Sequence, residues 1–272
     1  MKKIISFLLL ILFFTSCEDV VDVPLESSNP KLVIDANILW QKGTLGNEQK
    51  IKLSTTTNYY SNTIPAVSGA IVYITNSSNT VFNFLEVTPN SGEYLCNNFI
   101  PTINENYTLT IQHQGQIYTA TQKLLATPTI NNVLQTTEQG FGGEEIQVKF
   151  FYQDNGAENN FYLIGIKNST FAIPEYGVIE DTFFQGNEMF GIYRTPDLKP
   201  NDTLFLNLQG ISQKYFNYMN KLINIAGNQN VSPFATPPAT LRGNIVNQTN
   251  EDNYPLGYFH LSEIDTRTHI IQ

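Results

Sequence analysis

Side chains able to do chemistry are thinly spread along this chain. There are three histidines, His113, His260 and His269, and two cysteines, Cys17 and Cys96. The histidines form no HExxH pattern and no paired spacing, so the three or four ligands of a zinc site are not gathered by sequence. Each is expected as an exposed strand or tail residue. Asp154-Asn155-Gly156, with Glu158 nearby, superficially matches the start of a calcium loop. The regular acidic ligands and the closing Glu of such a loop are missing, and a turn is expected instead. Gly140-Phe141-Gly142-Gly143 runs into Glu144 and Glu145, an acidic pair that repels phosphate. No GxSxG elbow supplies a nucleophile. Glu180 and Asp181 could hydrolyse a glycoside only if held at a defined separation across a cleft, and adjacent residues usually point apart. Cys96, in the strand-like Glu93-Tyr94-Leu95-Cys96, has no cationic neighbourhood to favour a thiolate and is read as a core residue. No catalytic residue, metal or cofactor is expected, and the chain is read as a non-enzyme. Aromatic residues are the positive feature, with 14 Tyr and 18 Phe. Tyr59 and Tyr60 before Pro65, then Tyr176, Phe183 and Phe184, fall in expected loops. Their flat apolar faces, with a hydroxyl on Tyr, suit contact with a small ligand, a peptide or a glycan.

The other chemically informative residue is Cys17. Lys2 and Lys3 precede an apolar run, Ile4 to Phe14, of about eleven residues. That is too short to cross a bilayer core of about 30 Å as a helix, and it reads as the h-region of a secretory signal. Ser16 directly before Cys17 resembles a bacterial lipoprotein signal, in which the cysteine is acylated and becomes the first mature residue; Phe14 departs from the leucine usual three residues before it. Two or three acyl chains hold a protein on a membrane where one is marginal. Glu18, Asp19 and Asp22 follow at once. This acidic run resembles the surface-export signal of Bacteroidota lipoproteins, so an outer-membrane protein facing outward is expected. With Cys17 lipidated, Cys96 has no intramolecular disulfide partner.

Composition narrows the rest. The 272 residues are 41% hydrophobic and 14% charged, with a net charge of −9. Loss of residues 1–16 leaves 13 Lys and Arg against 24 Asp and Glu, a net charge of −11. Disorder needs charge to outweigh hydrophobicity, and nucleic-acid binding needs clustered basic residues, so both are excluded.

These residues must be positioned by β-structure. Residues 17–30 hold Pro24, Ser27, Ser28 and Pro30 and read as a tether. Period-two alternation then predicts strands at Leu32–Ile38, Lys50–Ser54, Ala70–Thr75, Val81–Leu85, Tyr107–Ile111 and Gln116–Ala120. His113-Gln114-Gly115 marks a hairpin. An immunoglobulin-like or transthyretin-like sandwich is expected over residues 31–126. Residues 127–272 are expected to form a second β-rich domain, with strands at Ile146–Tyr152, Phe161–Ile166, Thr203–Leu208 and near Phe259–Thr266. One helix is predicted near 212–226, capped by Ser212 and ended by Gly227, its stripe running through Tyr215, Tyr218, Met219 and Leu222. The stretch from about 168 to 200 is too long for a plain connection and should carry function or small elements of its own.

Several blocks together resemble a Bacteroidota family of outer-membrane lipoproteins known as a domain of unknown function. They are Cys17 to Asp22, Pro65 to Ala70, Gly92-Glu93-Tyr94, Ser232 to Pro238 with Arg242-Gly243-Asn244-Ile245, and Leu256-Gly257-Tyr258-Phe259. The resemblance implies a β-rich lipoprotein, often encoded beside a TonB-dependent transporter, and supplies no catalytic residue; the lipid-bearing role of Cys17 is what transfers. The expected function is an accessory to such a transporter in nutrient capture, and the alternative is a structural or adhesive surface module.

Overall fold

The computed structural model of the protein describes residues 29–58, 61–140, 143–227 and 241–272. It is mainly β, with one helix among the described residues. The first half carries β1 (Leu32–Gln41), β2 (Gln49–Thr55), β3 (Ile71–Asn76), β4 (Val81–Glu86), β5 (Glu93–Cys96), β6 (Asn106–His113) and β7 (Gln116–Lys123). The second carries β8 (Ile130–Gly140), β9 (Gly143–Gln153), β10 (Phe161–Asn168), β11 (Glu175–Glu180), β12 (Glu188–Arg194), β13 (Thr203–Ile211), α1 (Gln213–Gly227), β14 (Val246–Asn247) and β15 (Leu256–Ile270). The long stretch after residue 168 thus holds β11 and β12.

Twelve strands make one sheet in the order β11-β10-β13-β15-β1-β2-β5-β4-β3-β6-β7-β14, and β12-β9-β8 make a second. The large sheet folds over itself around a core that includes Ile34, Ile51, Leu53, Ile74, Phe84, Leu109 and Phe259. Its other end packs on the three-stranded sheet, enclosing Val148, Phe150, Ile164, Leu206 and Leu208. Alternation builds both cores: in β1, Ile34, Ala36 and Ile38 are fully buried while Asp35 and Asn37 are exposed.

Residues beyond 127 contribute to both packings. β15 pairs parallel with β1 from Leu256 to Ile264 and antiparallel with β13 from Ile264 to Ile270, and β14 adds to β7. One strand therefore ties the two ends of the chain together. The hairpin at Gln114-Gly115 has both residues at positive φ, 48° and 72°, the conformation a two-residue turn between twisted strands requires.

Tyr94 fixes the fold-over from inside. It is 1% exposed, and its hydroxyl accepts from Ala70 N and donates to Val67 O, each at 3.0 Å. Tyr94→Phe leaves both backbone groups unpaired in the core, and should lower the unfolding free energy by about 2 kcal/mol. Urea denaturation checks this, with the midpoint falling at an unchanged m-value.

Candidate functional site

The face of the large sheet that points away from both cores carries two adjoining cavities lined by aromatic and polar side chains. Along β1 it presents Val33, Asp35, Asn37 and Leu39; along β15, Tyr258 and His260; along β13, Phe205, Asn207 and Gln209; along β10, Leu163, Gly165 and Lys167. The registers Asp35↔Tyr258, Asn37↔His260, Leu163↔Gln209 and Gly165↔Asn207 align them on one side. α1 lies on this face over β10 and β11. Ser212 caps it, its Oγ accepting from Tyr215 N at 3.2 Å. Tyr215 and Met219, one turn apart, pack with Leu163, Ile211 and Tyr258.

Between α1 and β1 is a cavity of about 310 Å³, lined among others by Asp35, Asn37, Tyr176, Gln209, Tyr215, Tyr218, Leu222 and Tyr258. The tyrosines form a built cluster. Tyr258 lies with its ring centroid 4.8 Å from those of both Tyr215 and Tyr218, tilted by 49° and 47°. Tyr215 stacks on the buried His260 ring at 3.9 Å and 16°. Its hydroxyl donates to Asn37 Oδ1 at 3.3 Å, and Asn37 Nδ2 donates to Asp35 Oδ1 at 2.6 Å. Tyr176 lies across Gly165, whose added Cβ would stand 3.0 Å from the Tyr176 ring. A second cavity of about 360 Å³ shares Leu39, Tyr176 and Gln209 and continues to Lys167, Phe205 and Arg267.

Burial raises the Tyr215, Tyr176 and Tyr218 phenols above their ordinary value, and the Asp35 carboxylate adds to each. Tyr258 is pushed up to about 12, mainly by burial. All four are neutral hydroxyls at neutral pH. His260 is 3% exposed, and burial holds its imidazole down to about 3, so it is a neutral ring. The expected exposed histidine is therefore corrected at His260: the ring lies under α1, where stacking on Tyr215 replaces contact with water. His269 instead bonds Gln135 Oε1 through Nε2 at 3.0 Å.

The other sequence candidates are placed as follows. Tyr176 lines both cavities and is about half exposed. Phe183 and Phe184 are exposed in the turn after β11, away from these cavities. Cys17, Tyr59 and Tyr60 lie outside the described residues, as does Ser232 to Pro238. Cys96 is buried, its Sγ bonding Asn98 Oδ1, with burial pushing the thiol up. Asp154 is buried where β9 gives way to a turn, accepting from Tyr162 OH at 2.5 Å and from Gly186 N at 2.8 Å. Asp181 is fully buried and accepts from Asn160 N at 2.8 Å, whereas its neighbour Glu180 is exposed. These carboxylates pin loops. Among the described residues no group of three or more His, Cys, Asp or Glu is gathered as for a metal.

Sequence reasoning passed over Asp35 and Asn37 as site residues. The available signal was the strict alternation of Leu32–Ile38, which puts both on the side opposite Ile34, Ala36 and Ile38.

Four of the blocks that stood out in the sequence meet in pairs. Pro65 to Ala70 meets Gly92-Glu93-Tyr94 through the Tyr94 hydroxyl, and Glu86 takes bonds from Ser68 Oγ and Gly92 N. Arg242 to Ile245 meets Leu256 to Phe259: Asn244 donates to Phe259 O and accepts from Phe259 N, both at 2.9 Å. Gly243 and Gly257 touch back to back, since a Cβ on Gly243 would stand 1.6 Å from Gly257 O. Lys31 and Arg242 both stand 3.7 Å from the Tyr254 ring centre. This latch fixes the start of β15, and so places Tyr258 in the groove.

Among curated proteins none matches the chain. Among solved structures, a two fibronectin type-III domain segment from chicken tenascin is similar at 10% identity and a TM-score of 0.22, over 67% of this chain and 91% of that one. A cytokine receptor complex is similar at 8% identity and TM-score 0.26, over 68% and 86% of the two chains. A DUF4785 family protein from Legionella pneumophila is similar at 10% identity and TM-score 0.25, over 66% and 51%. A family model described as "Domain of unknown function (DUF4249)" matches residues 18–268. With all but the ends of the chain inside that match, including the latch and every residue named in the groove, the protein belongs to the DUF4249 family.

Proposed function

We propose that this protein is a non-enzymatic, lipid-anchored protein of a bacterial outer membrane, facing outward, which captures a small nutrient ligand for a TonB-dependent transporter. The observation that carries the capture reading is the groove: four tyrosines, Asp35 and Asn37 around about 310 Å³, at the small end of the range of ligand cavities. Ring faces, hydroxyls, one carboxylate and side-chain amides are the equipment of recognition rather than of bond breaking. The membrane and transporter parts rest on Ser16-Cys17, the acidic residues after it and the order of the sequence blocks.

Isolation of the lipidated protein from outer membranes tests this. Acyl-modified Cys17 by mass spectrometry and co-recovery of a transporter are expected, and Cys17→Ser should move the protein to the aqueous fraction. An unmodified Cys17, or recovery without any transporter, counts against it.

A structural or adhesive module is the second reading. It is favoured by Leu134, Phe190 and Ile192, which lie exposed on the three-stranded sheet, with Lys149 Nζ 5.1 Å from the Phe190 ring centre. A deletion strain with normal uptake and altered attachment would select it.

A further inference from the structure

We propose that the ligand held by the tyrosine groove carries an organic ammonium group, seated on the Tyr215–Tyr218–Tyr258 cluster with Asp35 as its counter-charge. This rests on the capture reading and adds the chemical class. Three observations point to a cation.

Asp35 is the one charged side chain among the residues lining the cavity. Among the described residues no Lys, Arg or His forms an ion pair with it.

Acceptors for an ammonium are also at hand. Tyr215 donates its proton to Asn37, Asn37 donates to Asp35 Oδ1, and Gln209 donates to Asn207 Oδ1 at 2.9 Å. These bonds leave the second oxygen of Asp35, the Gln209 carbonyl oxygen and the phenol lone pairs to accept from a guest, beside the phenol protons of Tyr176, Tyr218 and Tyr258.

Finally, the aromatic walls are negative on their faces, which attracts a cation and does nothing for an anion. Three of the phenols sit in the field of the Asp35 carboxylate, so the rings and the acid act on one small volume.

The nearest competitor is Lys52 on β2, exposed and directly opposite Asp35 in the strand register, with Glu93 on its other side. It supplies a built-in sign test. Removing Lys52 should strengthen binding of a cation and weaken binding of an anion.

The experiment is calorimetric titration of the purified chain with choline, with its neutral carbon isostere 3,3-dimethylbutan-1-ol, and with maltose. Choline should bind at least about tenfold more tightly than the isostere, and more weakly as salt is raised. Asp35→Asn should cost choline about tenfold and leave the isostere unchanged, while Lys52→Ala should tighten choline a few-fold. Equal binding of choline and isostere, or no effect of Asp35→Asn, overturns the proposal. Maltose binding that Tyr218→Leu abolishes, with choline silent, also overturns it but leaves the capture reading standing. No binding by any of the three overturns both.

Discussion

Gly257→Ala is expected to cost more than about 4 kcal/mol, enough to lower the melting temperature by roughly 10 °C or to prevent soluble expression. Gly257 sits opposite Ile34 where β15 begins its parallel run beside β1, with φ at +96°. A Cβ there would stand 2.0 Å from Ile34 O and 2.8 Å from Ile34 C. Both are backbone atoms of the fully buried Ile34, so neither can turn aside as the end of a side chain could. Relief requires β15 to move off β1, which breaks the ladder joining the two ends of the chain and withdraws Tyr258 from the groove. Gly43 is the control: its φ is +78°, but nothing lies within 4 Å of its added Cβ. Gly43→Ala should cost about 1 kcal/mol, from backbone strain alone. Differential scanning calorimetry of the two variants decides the matter, and equal losses would show that the β1–β15 contact is looser than described.

The second large effect is a pH dependence centred on His260. Its folded-state pKa, about 3, lies well below the ordinary value of 6.5. Below pH 6.5 the unfolded chain takes up a proton that the folded chain refuses, so stability is lost as pH falls, until the folded ring itself titrates. A whole proton of difference between the two states is worth about 1.4 kcal/mol for each pH step of one, and the proton is only partly bound near 6.5. This one group should therefore remove about 2 kcal/mol between pH 6.5 and pH 4.5. His260→Phe keeps an aromatic ring on Tyr215 and abolishes the proton uptake. Denaturant unfolding across that range should fall more steeply for the natural protein than for the variant, the two curves diverging by about 2 kcal/mol. Parallel curves would mean that the ring is reached by water.

The strands were legible wherever one face is buried. Leu32–Ile38, Tyr107–Ile111 and Ile146–Tyr152 alternate because their inward residues have no alternative to the core. The helix was legible from Ser212 and from Tyr215 and Met219 at one-turn spacing. β8, β11 and β12 escaped for physical reasons. β8 is an edge strand rich in Asn, Gln and Thr, with a register shift between Ile130 and Asn132. β11 is a six-residue edge strand containing Gly177. β12 contains Gly191, whose absent side chain admits the Phe150 ring and leaves a gap in the pattern. The pairing of β1 with β15 joins residues more than two hundred positions apart, and no local periodicity reports it.

The site was legible in part. Tyr176 was selected for its aromatic ring in an expected loop, and it sits on β11 between the two cavities. Asp35 and Asn37 were passed over because an outward polar residue on a strand is ordinary until another element comes to stand beside it. That element is α1, and its docking on that face depends on tertiary contacts among Leu163, Ile211 and Tyr258 that no sequence window contains.

Ring-labelled tyrosine NMR during titration with choline tests the central claim, that the outward face under α1 is where a ligand is held. Saturable shifts confined to Tyr176, Tyr215, Tyr218 and Tyr258, and lost in Asp35→Asn, are the predicted result. Shifts at other tyrosines, such as Tyr73 and Tyr254, with those four unchanged would contradict it.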